Sequence, residues 1–228
     1  MNTDVKTDGD CAAAERAGGN GSARPGPVTT GSRAIGRLSS WTTLDIVVGT
    51  ALAVAVGVIF WAWDQLWATA FAAVPFPASY LLIGIWMVGG ILVPYVIRKP
   101  GAAMVGELVA AFVSMLLVNQ WGLAVMLSGL VQGAGAELVF AAGRWRRYPV
   151  WMLVAAGAVA GLFSIGLDTF YYGYYQAYTA GSILLGLVFA AISGAVLGGG
   201  VSKVLGDLLL RTGVLNSLAI GKESRAAR

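Results

Sequence analysis

Two glutamates, Glu107 and Glu137, stand in apolar surroundings and share the local sequence Glu-Leu-Val. Each lies six residues from a glycine, Gly101 or Gly143. If the two segments are antiparallel transmembrane helices, both carboxyls lie roughly 9 Å from the same membrane face. An ionisable side chain at that depth costs about 2.5–3.5 kcal/mol, so it usually faces a pathway, a ligand or a buried partner. The spacing therefore predicts two carboxyls at one level, which either share a proton or fix the packing of the helices.

Aromatic rings alternate with amides and acids in three other stretches, at the ends of apolar segments. Rings offer stacking and cation–π contacts of about 0.5–2 kcal/mol each, and amides can bond the edge of a heterocycle. The mixture predicts a site for a flat, cationic ligand, although Trp and Tyr also anchor helices at membrane interfaces. The candidate binding residues are Trp61, Trp63, Asp64, Asn119, Gln120, Trp121, Gln132, Asp168, Tyr172 and Tyr175, with Glu107 and Glu137 in second rank.

Residues for catalysis or for a metal site are missing from the sequence. The chain has no histidine, and its one cysteine, Cys11, stands in a polar segment. The glycine-rich stretches lack the Gly-Lys-[Ser/Thr] order of a phosphate loop, and neither a G-x-S-x-G elbow nor an H-E-x-x-H motif is present. We therefore expect no catalytic residue, no metal and no cofactor, and we expect that the chain cannot hydrolyse ATP.

The composition is that of a helical protein of the lipid bilayer. Of 228 residues, 57% are hydrophobic and 11% are charged, and there are 32 glycines. These values are typical of a polytopic membrane protein and not of a soluble domain. The net charge of +4 is spread over the boundaries of the apolar segments. It therefore indicates membrane topology and not nucleic-acid binding.

Lys and Arg are missing from three long intervals, 38–97, 100–143 and 148–202. Each interval is long enough for two transmembrane helices of about 20 residues and a turn. The sequence thus predicts an all-α fold with six transmembrane helices and, by the positive-inside rule, two cytoplasmic termini in the cell membrane. The expected spans are roughly 42–63, 78–97, 101–118, 121–143, 149–167 and 181–210. They form one domain over 39–212, between a disordered tail at 1–38 and a second cytoplasmic tail at 213–228.

Small residues at helical spacing predict close contacts between helices. Gly129-Gly133, Gly157-Gly161 and Gly194-Gly198 are such pairs in the later spans. The first span has two such stripes. The stripes consist of Gly49, Ala53 and Gly57 and of Ala51 and Ala55. They predict either packing within the bundle or a docking face for another membrane protein.

Several motifs, in this order, resemble the YkoE family. They are WTTLDIVV at 41–48, FWAW at 60–63, RKPGA at 98–102, GELVAA at 106–111, QWGL at 120–123 and SGLVQGAGAEL at 128–138. Members of that family are S components, the substrate-capturing subunits of energy-coupling-factor (ECF) importers for thiamine or its hydroxymethylpyrimidine precursor. The resemblance implies a six-helix subunit that binds the vitamin near the outer face. It also implies a transmembrane coupling protein and two ATPases as partners, with the small stripes of the first span as the docking region.

A proton-coupled secondary transporter is the alternative hypothesis, with Glu107 and Glu137 as the coupling pair. Against it, the six spans show neither inverted halves nor a helix clearly broken within the membrane. By helix rise, both glutamates lie about 15–20 Å deeper than the outer rings. We therefore expect the ligand at the outer cluster, where Trp63 and Trp121 stack on it, and we expect the glutamates to affect mainly stability. The residues do not distinguish thiamine, its phosphate esters and the free pyrimidine.

Overall fold

The structure, a computed structural model, describes residues 41–226. The segment 1–38, predicted as a disordered tail, lies outside the described residues. All regular structure in the described part is helical, which confirms the all-α fold class. Five helices there are long and apolar enough to cross a membrane. They are Thr43–Ala68, Ala78–Ile97, Ala124–Ala142, Val150–Tyr171 and Ala180–Arg211, here called the first, second, fourth, fifth and sixth spans.

The helix Ala102–Leu116, here called the third span, is apolar but has only 15 residues. Its length is about 22 Å, below the roughly 30 Å of a bilayer core. Two short helices complete the described chain: Tyr174–Ala177 before the sixth span and Ala219–Ala226 after it. The turns near residues 98–101 and 143–149 lie at one end of the bundle, which we call the basic end; the opposite end is the cavity end.

The first span begins with a capping box. Thr42 Oγ1 accepts a hydrogen bond from the Asp45 amide at 3.2 Å, and Asp45 Oδ2 accepts one from the Thr42 amide at 3.0 Å. Such a box satisfies amides that a helix start leaves unpaired. The helix continues to Ala68, five residues beyond its predicted end. Asp64 and Trp67 are therefore helical residues, whereas the sequence placed them in a loop.

The second span is the centre of the bundle and the most buried of the long helices. It changes from a 3-10 helix, Ala78–Met87, to an α-helix, Gly89–Ile97. The sixth span also changes its helix type, because it contains a π-helical segment, Gly194–Gly200. Both spans nevertheless continue as helices over their full length. Because a 3-10 helix rises about 2.0 Å per residue, the 20 residues reach roughly 33 Å.

The predicted glycine pairs lie where helices touch. A Cβ built on Gly157 would meet the Gly194 carbonyl oxygen at 2.0 Å, and a Cβ on Gly194 would meet the Gly157 oxygen at the same distance. Gly133 lies against Glu107 and Met104 of the third span. Since real Cβ atoms do not approach so closely, larger residues would push these helices apart. The pairs therefore set the spacing between the third and fourth spans and between the fifth and sixth.

The two stripes of the first span face different ways. Gly49, Ala53 and Gly57 are buried within the chain's own bundle. A Cβ on Gly57 would lie 2.6 Å from Val113 of the third span. This burial removes the first stripe from any docking face, because internal packing already uses it. Ala51 and Ala55 are exposed and remain candidates for docking.

The segment predicted as the second tail, 213–228, packs on the bundle as far as the structure describes it. Leu215, Leu218 and Ile220 are almost fully buried. Glu223 pairs with Arg98 at the basic end of the second span. The described part of this segment therefore packs against the basic end of the bundle and covers it.

Candidate ligand-binding cavity

A cavity of about 230 Å³ opens between the first five spans near the cavity end. Its walls combine aromatic, small apolar and polar side chains, the usual composition of a small-molecule site. The lining residues are Phe60, Trp67, Ser79, Tyr80, Ile83, Trp86, Glu107, Ala111, Trp121, Val125, Ser128, Gly129, Gln132, Ser164, Asp168, Tyr172 and Tyr174.

Three indole rings form one wall of the cavity. Trp86 of the second span is central, with its ring centroid 4.9 Å from Trp67 and 5.2 Å from Trp121. The Trp86 and Trp121 planes are nearly perpendicular, at 89°. Edge-to-face packing of this kind stabilises rings in fixed orientations. The wall therefore offers preorganised aromatic faces to a flat ligand.

A buried polar network holds this wall from behind. Trp86 Nε1 donates to Asp64 Oδ1 at 2.7 Å, and Ser114 Oγ donates to Asp64 Oδ2 at 2.5 Å. Asn119 Nδ2 in turn donates to Ser114 Oγ at 3.0 Å. The Asp64 side chain is 1% exposed and does not line the cavity. Its position orients the Trp86 ring and joins the first three spans.

Asn119 also closes the turn that carries Trp121. Its Oδ1 accepts hydrogen bonds from the amides of Trp121 at 3.0 Å and of Gly122 at 2.8 Å. Such side-chain bonds to the following backbone are typical of Asx turns. Asn119 therefore positions the third ring of the wall.

The deep side of the cavity is polar. Gln132 Nε2 donates to Ser164 Oγ at 3.1 Å. Glu107 is 1% exposed, and its Oε2 accepts the Gly90 amide at 2.5 Å. Its other oxygen makes no hydrogen bond within the described part of the chain. A donor group on a bound ligand could therefore reach an acceptor at this depth.

Aromatic residues surround the entrance. Tyr80 donates its hydroxyl proton to Asp168, which ties the second span to the fifth. Phe76 packs against Tyr174 and Tyr178, with ring centroids 5.4 and 4.2 Å away. Burial and the neighbouring Asp168 carboxyl raise the pKa of Tyr174, so its hydroxyl is neutral at ordinary pH. The entrance thus combines rings with one carboxylate.

The structure brings part of the predicted site together. Of the predicted binding residues, five line the cavity: Glu107, Trp121, Gln132, Asp168 and Tyr172. The others lie outside its lining: Trp61, Trp63, Asp64, Asn119, Gln120, Tyr175 and Glu137. Trp63 donates its indole proton to the Leu82 carbonyl at 3.1 Å. The predicted stacking of Trp63 on the ligand therefore has no support from this cavity, because the Trp63 ring lies outside the lining and packs against Phe71 with centroids 5.2 Å apart.

The predicted depth of Glu107, about 15–20 Å below the outer rings by helix rise, does not keep it out of their cavity. Glu107 and Trp121 line the same cavity. The third span ends at Leu116, so Glu107 lies only roughly 13 Å below its end. The predicted third span ran two residues further and so placed this carboxyl deeper. One ligand can therefore extend from the indole wall toward Glu107.

Glu107 and Glu137 do not share a hydrogen bond. Glu137 Oε1 accepts the Gly101 amide and the Trp145 indole, each at 2.7 Å, and Oε2 accepts the Ala103 amide at 2.9 Å. It thus caps the start of the third span, where a carboxylate is favoured by the unpaired amides and the helix dipole. The two carboxyls have separate partners, which is unfavourable for a proton-sharing pair.

Sequence reasoning missed the contribution of the second span to the cavity. Ser79, Tyr80, Ile83 and Trp86 line it, but in the sequence they stand in an apolar run that reads as an ordinary span. The available signal was Trp86, a large ring with a polar N–H in the interior of a span, where it requires a partner. Trp67, Ser164 and Tyr174 were also missed.

Three comparisons with known proteins agree with this architecture. The family described as "ABC-type cobalt transport system, permease component" matches residues 44–163. The HMP/thiamine permease protein YkoE of Bacillus subtilis (strain 168) is 39% identical over 194 residues, covering 84% of this chain and 96% of that protein. A crystal structure of an S component of an ECF transporter superposes with a TM-score of 0.79 at 39% identity, over 83% of this chain and 95% of that one.

The fold and its cavity define the substrate-binding subunit of a transporter, a multi-pass membrane protein and not an enzyme. The chain belongs to the YkoE family of ECF S components. This assignment confirms the resemblance seen in the sequence motifs. It also replaces the hypothesis of a self-sufficient proton-coupled carrier, for which the separately bonded glutamates offer no pair.

Proposed function

We propose that the cavity binds thiamine or its hydroxymethylpyrimidine portion. The observation that carries this proposal is the combination of a three-indole wall with a polar deep side in one small cavity. Indole faces suit an aromatic cation. The Gln132 amide and the free oxygen of Glu107 suit the amino group and ring nitrogens of a pyrimidine. Asp168 at the entrance supplies negative charge for a thiazolium. The name of the Bacillus subtilis relative supports this ligand class.

Calorimetry of the purified protein with thiamine, thiamine monophosphate and hydroxymethylpyrimidine tests the ligand. We expect Trp121→Ala to weaken binding of the preferred ligand at least tenfold, which corresponds to about 1.4 kcal/mol. Trp61→Ala is the matched control, since Trp61 is also half-buried but lies outside the cavity. If Trp121→Ala and Trp61→Ala are both folded and lose the same amount of ligand affinity, the ligand binds outside this cavity.

The two glutamates provide a second matched pair. We expect Glu107→Gln to weaken binding about tenfold, because it replaces an acceptor at the deep side with an amide that can donate there. Glu137→Gln should leave binding unchanged, since Glu137 lies outside the lining. Loss of binding in the second variant alone would place the ligand nearer the basic end than we propose.

We infer that this chain delivers its ligand to a transmembrane coupling protein and two ATPases in the cytoplasmic membrane. On this proposal the basic end is cytoplasmic, in accordance with the positive-inside rule, and the cavity end faces outward. The described residues contain the cavity but no phosphate loop of the Walker type. Uptake in reconstituted vesicles should therefore need the partner subunits and ATP. Concentrative uptake by this chain alone, driven by a proton gradient, would contradict the proposal.

The exposed stripe of the first span is the proposed docking face. Ala51 and Ala55 lie on one side of that helix with Leu44, Val47 and Val58, which are 43%, 58% and 47% exposed. Small residues within an apolar face let another helix approach closely. We expect Ala51→Trp to block assembly with the coupling protein and to leave ligand binding intact. Val196→Trp, at a 61% exposed site on the sixth span, should preserve assembly. Equal assembly of both variants would exclude this face.

A further inference from the structure

A second cleft lies at the basic end, away from the ligand cavity. Arg98, Arg146, Arg147, Tyr148 and Trp151 line it, together with Pro149 and Glu223. Three arginines and one glutamate thus line one cleft. Topology requires positive charge at this end of the bundle, but it does not require the charges to surround a cleft.

One arginine of the cleft is held in place. Arg98 has a side chain only 12% exposed and pairs with Glu223. Its Nε donates to the Tyr95 carbonyl at 3.2 Å, and its guanidinium carbon lies 5.0 Å from the centre of the Tyr148 ring. Arg146 and Arg147 are exposed and have no ion pair within residues 41–226. Two guanidinium groups are therefore available beside one that is already oriented.

Tyr148 supplies the second observation. Its side chain is 7% exposed, and its hydroxyl is the one buried side-chain polar atom without a hydrogen-bond partner in the described chain. A buried unpaired hydroxyl is unfavourable. A bound molecule that accepts a hydrogen bond from this hydroxyl would remove that cost. Burial raises the pKa of Tyr148, which keeps the phenol neutral and able to donate. Donors on Arg and Tyr together select an anion rich in acceptor oxygens.

The start of the fifth span strengthens the same preference. Pro149 precedes this helix, and no side chain caps its first amides. The positive end of the helix dipole therefore points to the region beside Tyr148. Val150 and Trp151 in the first turn are 53% and 65% exposed, as expected for residues at the boundary between water and lipid. The cleft is thus at headgroup depth.

We propose that this cleft is a phosphate-binding site, filled from the membrane by the phosphodiester of an anionic lipid. Arg146 and Arg147 bind the phosphate oxygens, Tyr148 donates its hydroxyl proton, and Trp151 packs against the adjoining glycerol and acyl chains. Basic pockets at this depth are typical of anionic headgroup recognition. The site is independent of the ligand cavity and of the function proposed for it.

The test uses the full-length protein in neutral detergent at about 0.15 M ionic strength, where loose surface attraction is screened. Native mass spectrometry measures retention of phosphatidylglycerol and of phosphatidylcholine with the same acyl chains. We expect about tenfold stronger retention of phosphatidylglycerol, and loss of this preference in Arg146→Gln/Arg147→Gln. The control Arg144→Gln/Arg211→Gln removes the same charge at the same end, outside the lining, and should keep the preference.

Tyr148→Phe keeps the charge and the ring but removes the donor. We expect phosphatidylglycerol retention to fall about threefold, while thermal stability without lipid stays equal or rises because an unpaired hydroxyl is gone. A measurement of thermal stability with inorganic phosphate distinguishes a soluble phosphate from a lipid phosphodiester as the ligand of the cleft. Stabilisation by inorganic phosphate that depends on Arg146 and Arg147 supports the site but assigns it to a soluble phosphate. The proposal is overturned if the protein retains both lipids equally and inorganic phosphate does not stabilise it. It is also overturned if Arg144→Gln/Arg211→Gln loses the preference for phosphatidylglycerol as fully as Arg146→Gln/Arg147→Gln does.

Discussion

The role of Asp64 gives the sharpest test of how the cavity is built. The sequence made Asp64 a candidate binding residue for a cationic ligand, whereas the structure places it behind Trp86, bonded to the indole and to Ser114. In Asp64→Asn the amide oxygen can still accept from Trp86, and the amide nitrogen can donate to Ser114 Oγ. We expect ligand affinity to fall less than about threefold, which is below 0.7 kcal/mol.

Asp64→Ala removes both acceptors. Two charge-assisted hydrogen bonds are lost, each worth about 1.5–3 kcal/mol, and the indole N–H and serine hydroxyl are left without their partner. Allowing for relaxation, we expect a loss of about 2–4 kcal/mol in the free energy of unfolding. Binding should weaken about tenfold because the Trp86 ring is no longer fixed.

Calorimetry and thermal unfolding in the same detergent separate these outcomes. Asp45→Asn is the matched control, since Asp45 is also a buried acid of the first span but caps the helix start far from the cavity. If Asp64→Asn loses binding more than tenfold while its unfolding temperature is unchanged, the carboxylate contacts the ligand. The reasoning from Trp86 would then be refuted.

Two further changes test the packing. Glu137→Gln should lower the free energy of unfolding by about 1–3 kcal/mol. Only one of the two terminal atoms of an amide can accept hydrogen bonds, whereas both carboxylate oxygens now accept them from Gly101, Ala103 and Trp145. An unchanged unfolding temperature would count against the capping role. Gly157→Ala should destabilise by at least about 2 kcal/mol, since its Cβ would lie 2.0 Å from a carbonyl oxygen. Gly166→Ala, with open space around it, should instead stabilise by about 0.5–1 kcal/mol; similar effects at the two glycines would contradict the observed contacts.

The architecture was readable from the sequence because two strong physical constraints act on it. Hydrocarbon demands long apolar helices, and the spacing of Lys and Arg records where the chain returns to one face. The glycine pairs of the fifth and sixth spans could be recognised for a related reason. Close helix approach in lipid depends on small residues at fixed spacing, and few other demands produce that pattern.

The cavity was only partly predictable, because side-chain direction depends on helix geometry that composition does not reveal. Trp63 and Trp67 lie on the same helix, yet only Trp67 faces the cavity. Trp86 faces it from a 3-10 segment, where side chains follow a period of 3.0 and not 3.6. Glu107 lines the same cavity as Trp121, although helix rise along an ideal span separated the two. The direction of these side chains depends on the local backbone, which the pattern of apolar residues does not determine.

The short third span gives the protein an uneven hydrophobic thickness. Beyond its last turn the apolar surface continues over Leu117 and Val118, which are 43% and 78% exposed, in a turn whose amides Asn119 helps to satisfy. Its helical part is about 8 Å shorter than a typical bilayer core. Mismatch costs a fraction of a kcal/mol per ångström and is relieved by local thinning or by tilt. A bilayer of uniform thickness therefore favours an inclined bundle, and membranes of different thickness will set different inclinations.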